Sequence, residues 1–206
     1  MWFNALYRSW QKKQLTEADY HFLFEPPQRA GVVSLDCETT GLDANKDEII
    51  SIGAVRIIDN QILTSERLQL KLKPSQRIQA EAIKVHQLRN CDVEDGLEPI
   101  EAMKQLLAFI GSSPILGYYL EFDMALINRV VQPWLGIKLP NQQLELSAIY
   151  YDQKIGLIPQ KRLDLRLSSI CTALNVPNLG AHDAYTDALT VAIAYVKLKQ
   201  SDKGLP

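Results

Sequence analysis

Gly31-Val-Val-Ser-Leu-Asp36-Cys37-Glu38-Thr39-Thr40-Gly41-Leu42 opens as a short apolar run of the kind that forms a buried strand, and it closes in a polar turn. Side chains two apart on a strand share a face, so Asp36 and Glu38 present two carboxylates together at the strand's end while Cys37 points the other way, into the core. Carboxylates this close repel unless a cation sits between them, and hard ions such as Mg²⁺ prefer oxygen ligands. The same spacing recurs at Asp92-Val93-Glu94, in a polar stretch with no strand leading into it. That second pair reads as a solvated loop or a helix-capping acidic cluster.

Strands surround the first pair. Residues 48–58 are rich in isoleucine and valine, and Asp59-Asn60 supplies a tight turn because both residues tolerate left-handed backbone angles. Leu68, Leu70 and Leu72 then alternate with Gln69, Lys71 and Lys73, as in a half-exposed strand. Three consecutive strands therefore form an antiparallel meander. Helices follow: residues 100–110, with Met103, Leu106, Leu107 and Ile110 on one face; 122–131, stopped by Pro133; 167–174; and 184–198. Brief strands are expected at 114–117 and near 144–147. The pattern predicts an α/β fold, a mixed sheet flanked by helices.

Residues 1–29 read as an N-terminal extension ahead of a main domain at 30–200. Trp2, Phe3, Leu6, Tyr7 and Trp10 recur at helical spacing, and Pro26-Pro27 closes the segment. The expectation is a helix packed on its own domain, with a protein partner or self-association through this aromatic segment as the alternative.

Two further segments carry chemistry. In His182-Asp183-Ala184-Tyr185-Thr186-Asp187, five residues within one helix would turn His182 away from Asp187. Asp183 is better placed as the N-cap, with His182 on the preceding loop, free to turn towards whatever Asp187 binds. In Gly117-Tyr-Tyr-Leu-Glu-Phe-Asp123, Asp123 follows a short strand and begins a helix, where plain helix capping is the competing reading.

Composition narrows the setting. The 206 residues are enough for one substantial domain, and a formal net charge of −2 provides no overall positive field to draw the chain onto duplex nucleic acid. Positive charge for a polyanion must therefore be local or come from metal ions. Cys37, Cys91 and Cys171 lack metal-site spacing and are odd in number, which points to a reducing cytoplasm. The N-terminus lacks the pattern of a signal peptide, and no stretch is apolar for long enough to span a bilayer, so no membrane role is expected.

Taken in order, Asp36-Cys-Glu-Thr-Thr-Gly-Leu42, Gly117–Asp123 and His182–Asp187 resemble the three motifs of the DEDDh, or DnaQ-like, 3′→5′ exonucleases. The first motif is closer to the epsilon-type proofreaders of this group than to oligoribonuclease. The resemblance covers about residues 31–198 and implies an RNase H-like five-stranded mixed sheet. It also implies a two-metal phosphodiester hydrolysis that removes nucleoside monophosphates from a free 3′ end, with two Mg²⁺ or Mn²⁺ ions held by Asp36, Glu38, Asp123 and Asp187, and His182 as the general base. DNA, mainly single-stranded, is favoured; RNA 3′-end trimming, or a catalytically silent binding or scaffold module, are the alternatives. Thr39 and Leu42 are implied to contact the terminal nucleotide. Val85-His86-Gln87-Leu88 resembles a substrate-side His-Gly-Ile element, with Gln87 in place of the glycine, and Tyr118-Tyr119 stand where the second motif has His-Asn. Lys161, Arg162 and Arg166 form a basic cluster suited to a strand backbone, or else a solvated approach to a helix. The chain ends soon after its last helix, without an epsilon-type tail, which favours a stand-alone enzyme.

Overall fold

The run at 32–39 forms the central strand, β1 (Val32–Thr39). A computed structural model describes residues 2–155, 163–180 and 182–202. β1 pairs antiparallel with β2 (Ile49–Ile58), which pairs antiparallel with β3 (Gln61–Lys71). Asp59 and Asn60 form the connecting turn with φ of 51° and 61°, the left-handed values that a two-residue hairpin requires. On its other side β1 pairs parallel with β4 (Ile115–Gly117), which pairs parallel with β5 (Gln143–Glu145). The sheet order is β3-β2-β1-β4-β5.

Because β1 is covered on both faces, its alternation sorts side chains by layer. Val33, Leu35 and Cys37 join a core with α3 (Pro99–Ile110) and α4 (Leu120–Leu135). The opposite face is covered by α5 (Leu146–Ile155), α6 (Leu167–Ala173) and α7 (Ala184–Asp202). Ser34 looks that way and donates its hydroxyl to the carbonyl of Ala188 at 2.7 Å. Gly53 on β2 pairs with Asp36, and a Cβ there would lie 2.1 Å from the backbone nitrogen of Tyr185. The bare backbone at Gly53 is what lets the first turn of α7 lie against the sheet beside Asp36.

Several elements depart from the sequence reading. α4 begins two residues earlier than expected and runs past Pro133 to Gly136, whose φ of 73° ends it. Near a C-terminus the proline removes one hydrogen bond and leaves the rest of the helix intact. The expected strand at 144–147 divides: β5 ends at Glu145, and Leu146 and Ser147 already belong to α5. α2 (Ala80–His86) and α5 were not anticipated.

At the N-terminus, α1 (Trp2–Gln14) is fastened to the rest through the polar side chains of Arg8 and Gln11. Arg8 donates to the carbonyls of Pro140 and Leu23, and Gln11 to that of Lys138. Leu23, fully buried, continues this segment into the core shared with β1. Leu6, Tyr7 and Trp10 are exposed, with the rings of Tyr7 and Trp10 stacked at 5.9 Å. Among the described residues no helix is long and apolar enough to cross a membrane.

Candidate active site

The C-terminal end of β1 is where the two helical layers meet. Asp36 and Glu38 project towards α7, and oxygen atoms of Asp36, Glu38 and Asp187 all lie within 4.8 Å of one another. Asp187 is held by its own neighbourhood. Asp183 caps α7, its carboxylate accepting from the Thr186 nitrogen at 3.0 Å and hydroxyl at 2.8 Å. His182 precedes it with a φ of 68°, and that left-handed bend turns its backbone N–H onto the Asp187 carboxylate at 2.9 Å. The expected arrangement of cap, loop histidine and first-turn aspartate is therefore present.

Asp123 arrives from the other layer, on the fourth residue of α4, so it is not the helix cap. It is buried and lies against Cys37, whose core-facing thiol and backbone favour its ionised form. It stands outside the three-carboxylate group but close enough to Asp36 to repel it.

This crowding shows in the protonation equilibria. Burial, then the charges of Asp123, Asp187 and Glu38, push Asp36 well above the usual carboxylate range. Burial, followed by Asp187 and Asp183, raises Glu38 to about 8. Burial raises Asp123 to about 7 against the opposing pull of Cys37. Every charge acting on Asp36 and Glu38 is another carboxylate. His182 opposes this crowding at Asp187, but among the described residues Asp36 and Glu38 meet only other carboxylates, and hard oxygen donors so arranged fit a divalent cation.

Residues on the flanks behave differently. His86 is buried at the end of α2; its Nε2 donates to the Thr39 carbonyl at 3.1 Å, and its Nδ1 accepts from the Leu88 nitrogen at 3.1 Å. That pattern fixes the neutral tautomer, and burial, with the nearby charge of His182, lowers its pKa. Gln87 follows with a φ of 61°, the conformation that glycine adopts without strain and that costs a longer residue about 1 kcal/mol. Tyr119 likewise caps α4 at a φ of 58°, where an asparagine would be more comfortable. It remains exposed, stacked on Phe122 at 6.4 Å.

Thr39 turns its hydroxyl inward to the Gly41 carbonyl at 2.6 Å, whereas Leu42 is 90% exposed at the tip of the turn. Lys161 and Arg162 lie outside the described residues. Arg166 is engaged by Asp164, to which it donates from Nε at 3.0 Å. Asp92 of the second acidic pair sits in a short 3₁₀ turn and accepts from Arg89.

Two features escaped the sequence reading. A groove of about 570 Å³ runs between α6 and α7, with Asp36, His182 and Asp187 at one side and Leu167, Val176 and Leu179 along it. At the end of β5, Glu145 caps two helices at once: one oxygen accepts from the Leu120 nitrogen at 3.0 Å, the other from the nitrogen and hydroxyl of Ser147. Tyr119 offers α4 no side-chain cap, so Glu145 holds the first turn of the helix that carries Asp123. In the sequence, Glu145 falls inside the strand expected near 144–147, with nothing to mark it as a helix cap.

A five-stranded mixed sheet between helical layers, with carboxylates gathered at the end of its central strand, defines an RNase H-like nuclease fold. The family model described as Exonuclease matches residues 33–195, and the chain belongs to that family. It is 26% identical over 166 residues to the DNA polymerase III subunit epsilon of Aquifex aeolicus, covering 81% of this chain and 79% of that one. It is 27% identical over 176 residues to the PolC-type DNA polymerase III of Thermotoga petrophila, covering 85% of this chain and spanning only 12% of that protein. Among solved structures, E. coli exonuclease I in complex with a dT13 oligonucleotide shares the fold with a TM-score of 0.69 at 18% identity. That match covers 84% of this chain and 41% of exonuclease I.

Proposed function

We propose that this protein is a 3′→5′ exonuclease that releases nucleoside monophosphates one at a time, mainly from single-stranded DNA. The observation that carries the reading is the convergence of Asp36, Glu38 and Asp187 within 4.8 Å, with Asp123 close enough to Asp36 to repel it. Their oxygens suit Mg²⁺ or Mn²⁺: Asp36, Glu38 and Asp187 would hold one ion and Asp36 with Asp123 a second, together supplying an acidified water and a counter-charge for the departing oxygen.

The remaining work falls to the protein's own groups. His182 accepts the proton of the attacking water as its oxygen bonds to phosphorus, and the bond to the 3′ oxygen of the preceding nucleotide breaks. That oxygen takes a proton from solvent, and a 5′-monophosphate leaves. The His182 N–H holds Asp187 in place during this exchange. Leu42 lies against the terminal base, an apolar contact tolerant of sequence. Thr39 and the neutral His86 shape the floor beneath it through their shared hydrogen bond. Lys161 and Arg162 would follow the strand backbone; Arg166, engaged by Asp164, adds less.

The capture of exonuclease I with a dT13 oligonucleotide supports DNA as the substrate. The test is digestion of 5′-labelled single-stranded DNA and RNA of matched sequence with Mg²⁺, with EDTA, and with the Asp36→Ala protein. A metal-dependent ladder shortening from the 3′ end, faster on DNA and absent in the variant, is expected. Faster loss of RNA would move the assignment to RNA trimming, and no cleavage of either strand would leave a binding module.

A further inference from the structure

The turn after β1 carries Leu42 on its outside and a second carboxylate, Asp47, on its inside, only 2% exposed. Asp47 takes no part in the acidic cluster. Its Oδ1 accepts from the Thr40 hydroxyl at 3.0 Å and from Gln79 Nε2 at 2.9 Å, and its Oδ2 from the Asp43 nitrogen at 2.8 Å. Thr40 is saturated in turn: its hydroxyl oxygen accepts from the Glu48 nitrogen at 2.9 Å and from Gln76 Nε2 at 3.1 Å. Arg129, reaching over from α4, donates to the carbonyls of Ala44 and Asp47. Gly41 completes the packing, since a Cβ there would lie 2.5 Å from the Asp47 carboxylate.

These bonds join more than one loop. Gln79 caps α2, and its backbone nitrogen also donates to the Thr40 carbonyl at 3.0 Å. The far end of α2 returns to the same turn through His86 and the Thr39 carbonyl. The Leu42 turn and α2 are therefore fastened at both ends around a buried carboxylate. An exposed apolar residue on a free loop would lose conformational entropy each time it met a ligand, and a loop held in advance avoids that loss.

We propose that Asp47, backed by Arg129, is the positioning residue for the terminal nucleotide: it holds Leu42 in place before the strand arrives and so sets how tightly the 3′ end is held. This rests on the reading that Leu42 lies against the terminal base. Asp47→Asn keeps the shape but turns a donor towards the Asp43 nitrogen or the Thr40 hydroxyl. Arg129→Met keeps the apolar stem and removes only the bonds to the loop carbonyls, so it carries the same test if the first variant fails to fold.

The experiment measures KM and kcat on a 5′-labelled single strand for wild type, both variants, Leu42→Ala and Leu42→Ala/Asp47→Asn. It also measures hydrolysis of bis(p-nitrophenyl) phosphate, a diester with no base to hold. The expected result is a rise of about tenfold in KM with kcat within about twofold, unchanged diester hydrolysis, and a double variant no worse than Leu42→Ala alone. Equal losses on strand and diester, or KM effects that multiply in the double variant, would show Asp47 to be merely structural and overturn the proposal. Diester hydrolysis by the wild type with no attack on the strand would overturn the exonuclease reading itself, and this inference with it.

Discussion

The chain contains two Asp-x-Glu triplets of identical spacing, Asp36-Cys37-Glu38 on β1 and Asp92-Val93-Glu94 in a surface turn. In the second, the Arg89 side chain and backbone nitrogen bring Asp92 down to about 2, and Glu94 stands in solvent. In the first, burial and other carboxylates drive Glu38 up to about 8. One triplet is satisfied by its own protein and the other is left wanting a cation. Spacing is common to both, so what distinguishes a metal-binding pair is the absence of a neutralising neighbour together with burial at a strand end where other layers deliver more acids.

The sharpest way to break this comparison is to neutralise each triplet in turn. Asp36→Ala is expected to cut strand digestion by on the order of a thousandfold, while Asp92→Ala changes it by less than about twofold. A comparable loss in both variants would mean that the second pair also serves the reaction.

A smaller effect should appear in stability. Carboxylates whose folded pKa is raised bind protons more tightly in the native state, so the metal-free fold loses stability as pH climbs from above 4.5 through about 8. His86, with its lowered pKa, acts in the opposite sense below 6.5, so the window from pH 7 to 8.5 isolates the acids. In EDTA, Tm should fall by a few degrees across that window, and Mg²⁺ should restore more at pH 8.5 than at pH 7. A flat Tm in EDTA would mean that the acidic cluster carries no such strain.

Glu145 gives the finest test, because it is an acid satisfied by helix ends rather than by an arginine. Glu145→Ala should lower Tm by a few degrees and digestion by about tenfold, with Glu145→Gln milder, since the amide retains one acceptor. Full activity in the alanine variant would show that Asp123 does not depend on this cap.

What could be read from the sequence was local. The apolar run into Asp36, the alternation of β3, and the sequence from His182 through the Asp183 cap to Asp187 each depend on neighbours within a few residues, and each appears in the structure as expected. α2 was missed because it has no side-chain cap to announce it, and α5 because it follows directly from a strand, so that its cap, Glu145, fell inside the strand expected near 144–147. In α1, Leu6, Tyr7 and Trp10 are exposed, and Arg8 and Gln11 make the contacts, with acceptors on a loop far along the chain. Asp47 and Glu145 were not singled out, because partners such as the Gln79 amide and the Leu120 nitrogen reach them only when the sheet forms.

Ser34 and Ala188, joined by a hydrogen bond, are 154 residues apart in the chain. The hairpin of β1 and β2 can close early through near-neighbour contacts, but α7 meets the sheet across one of the longest loops the fold contains. Its seat is the bare backbone of Gly53, which exists only once β1 and β2 are in register. Until that docking, Asp36 and Glu38 have no Asp187 opposite them and the acidic cluster does not exist. Assembly of the site is thus tied to contacts that are among the least local of the described residues, so an incompletely folded chain lacks the means to cut.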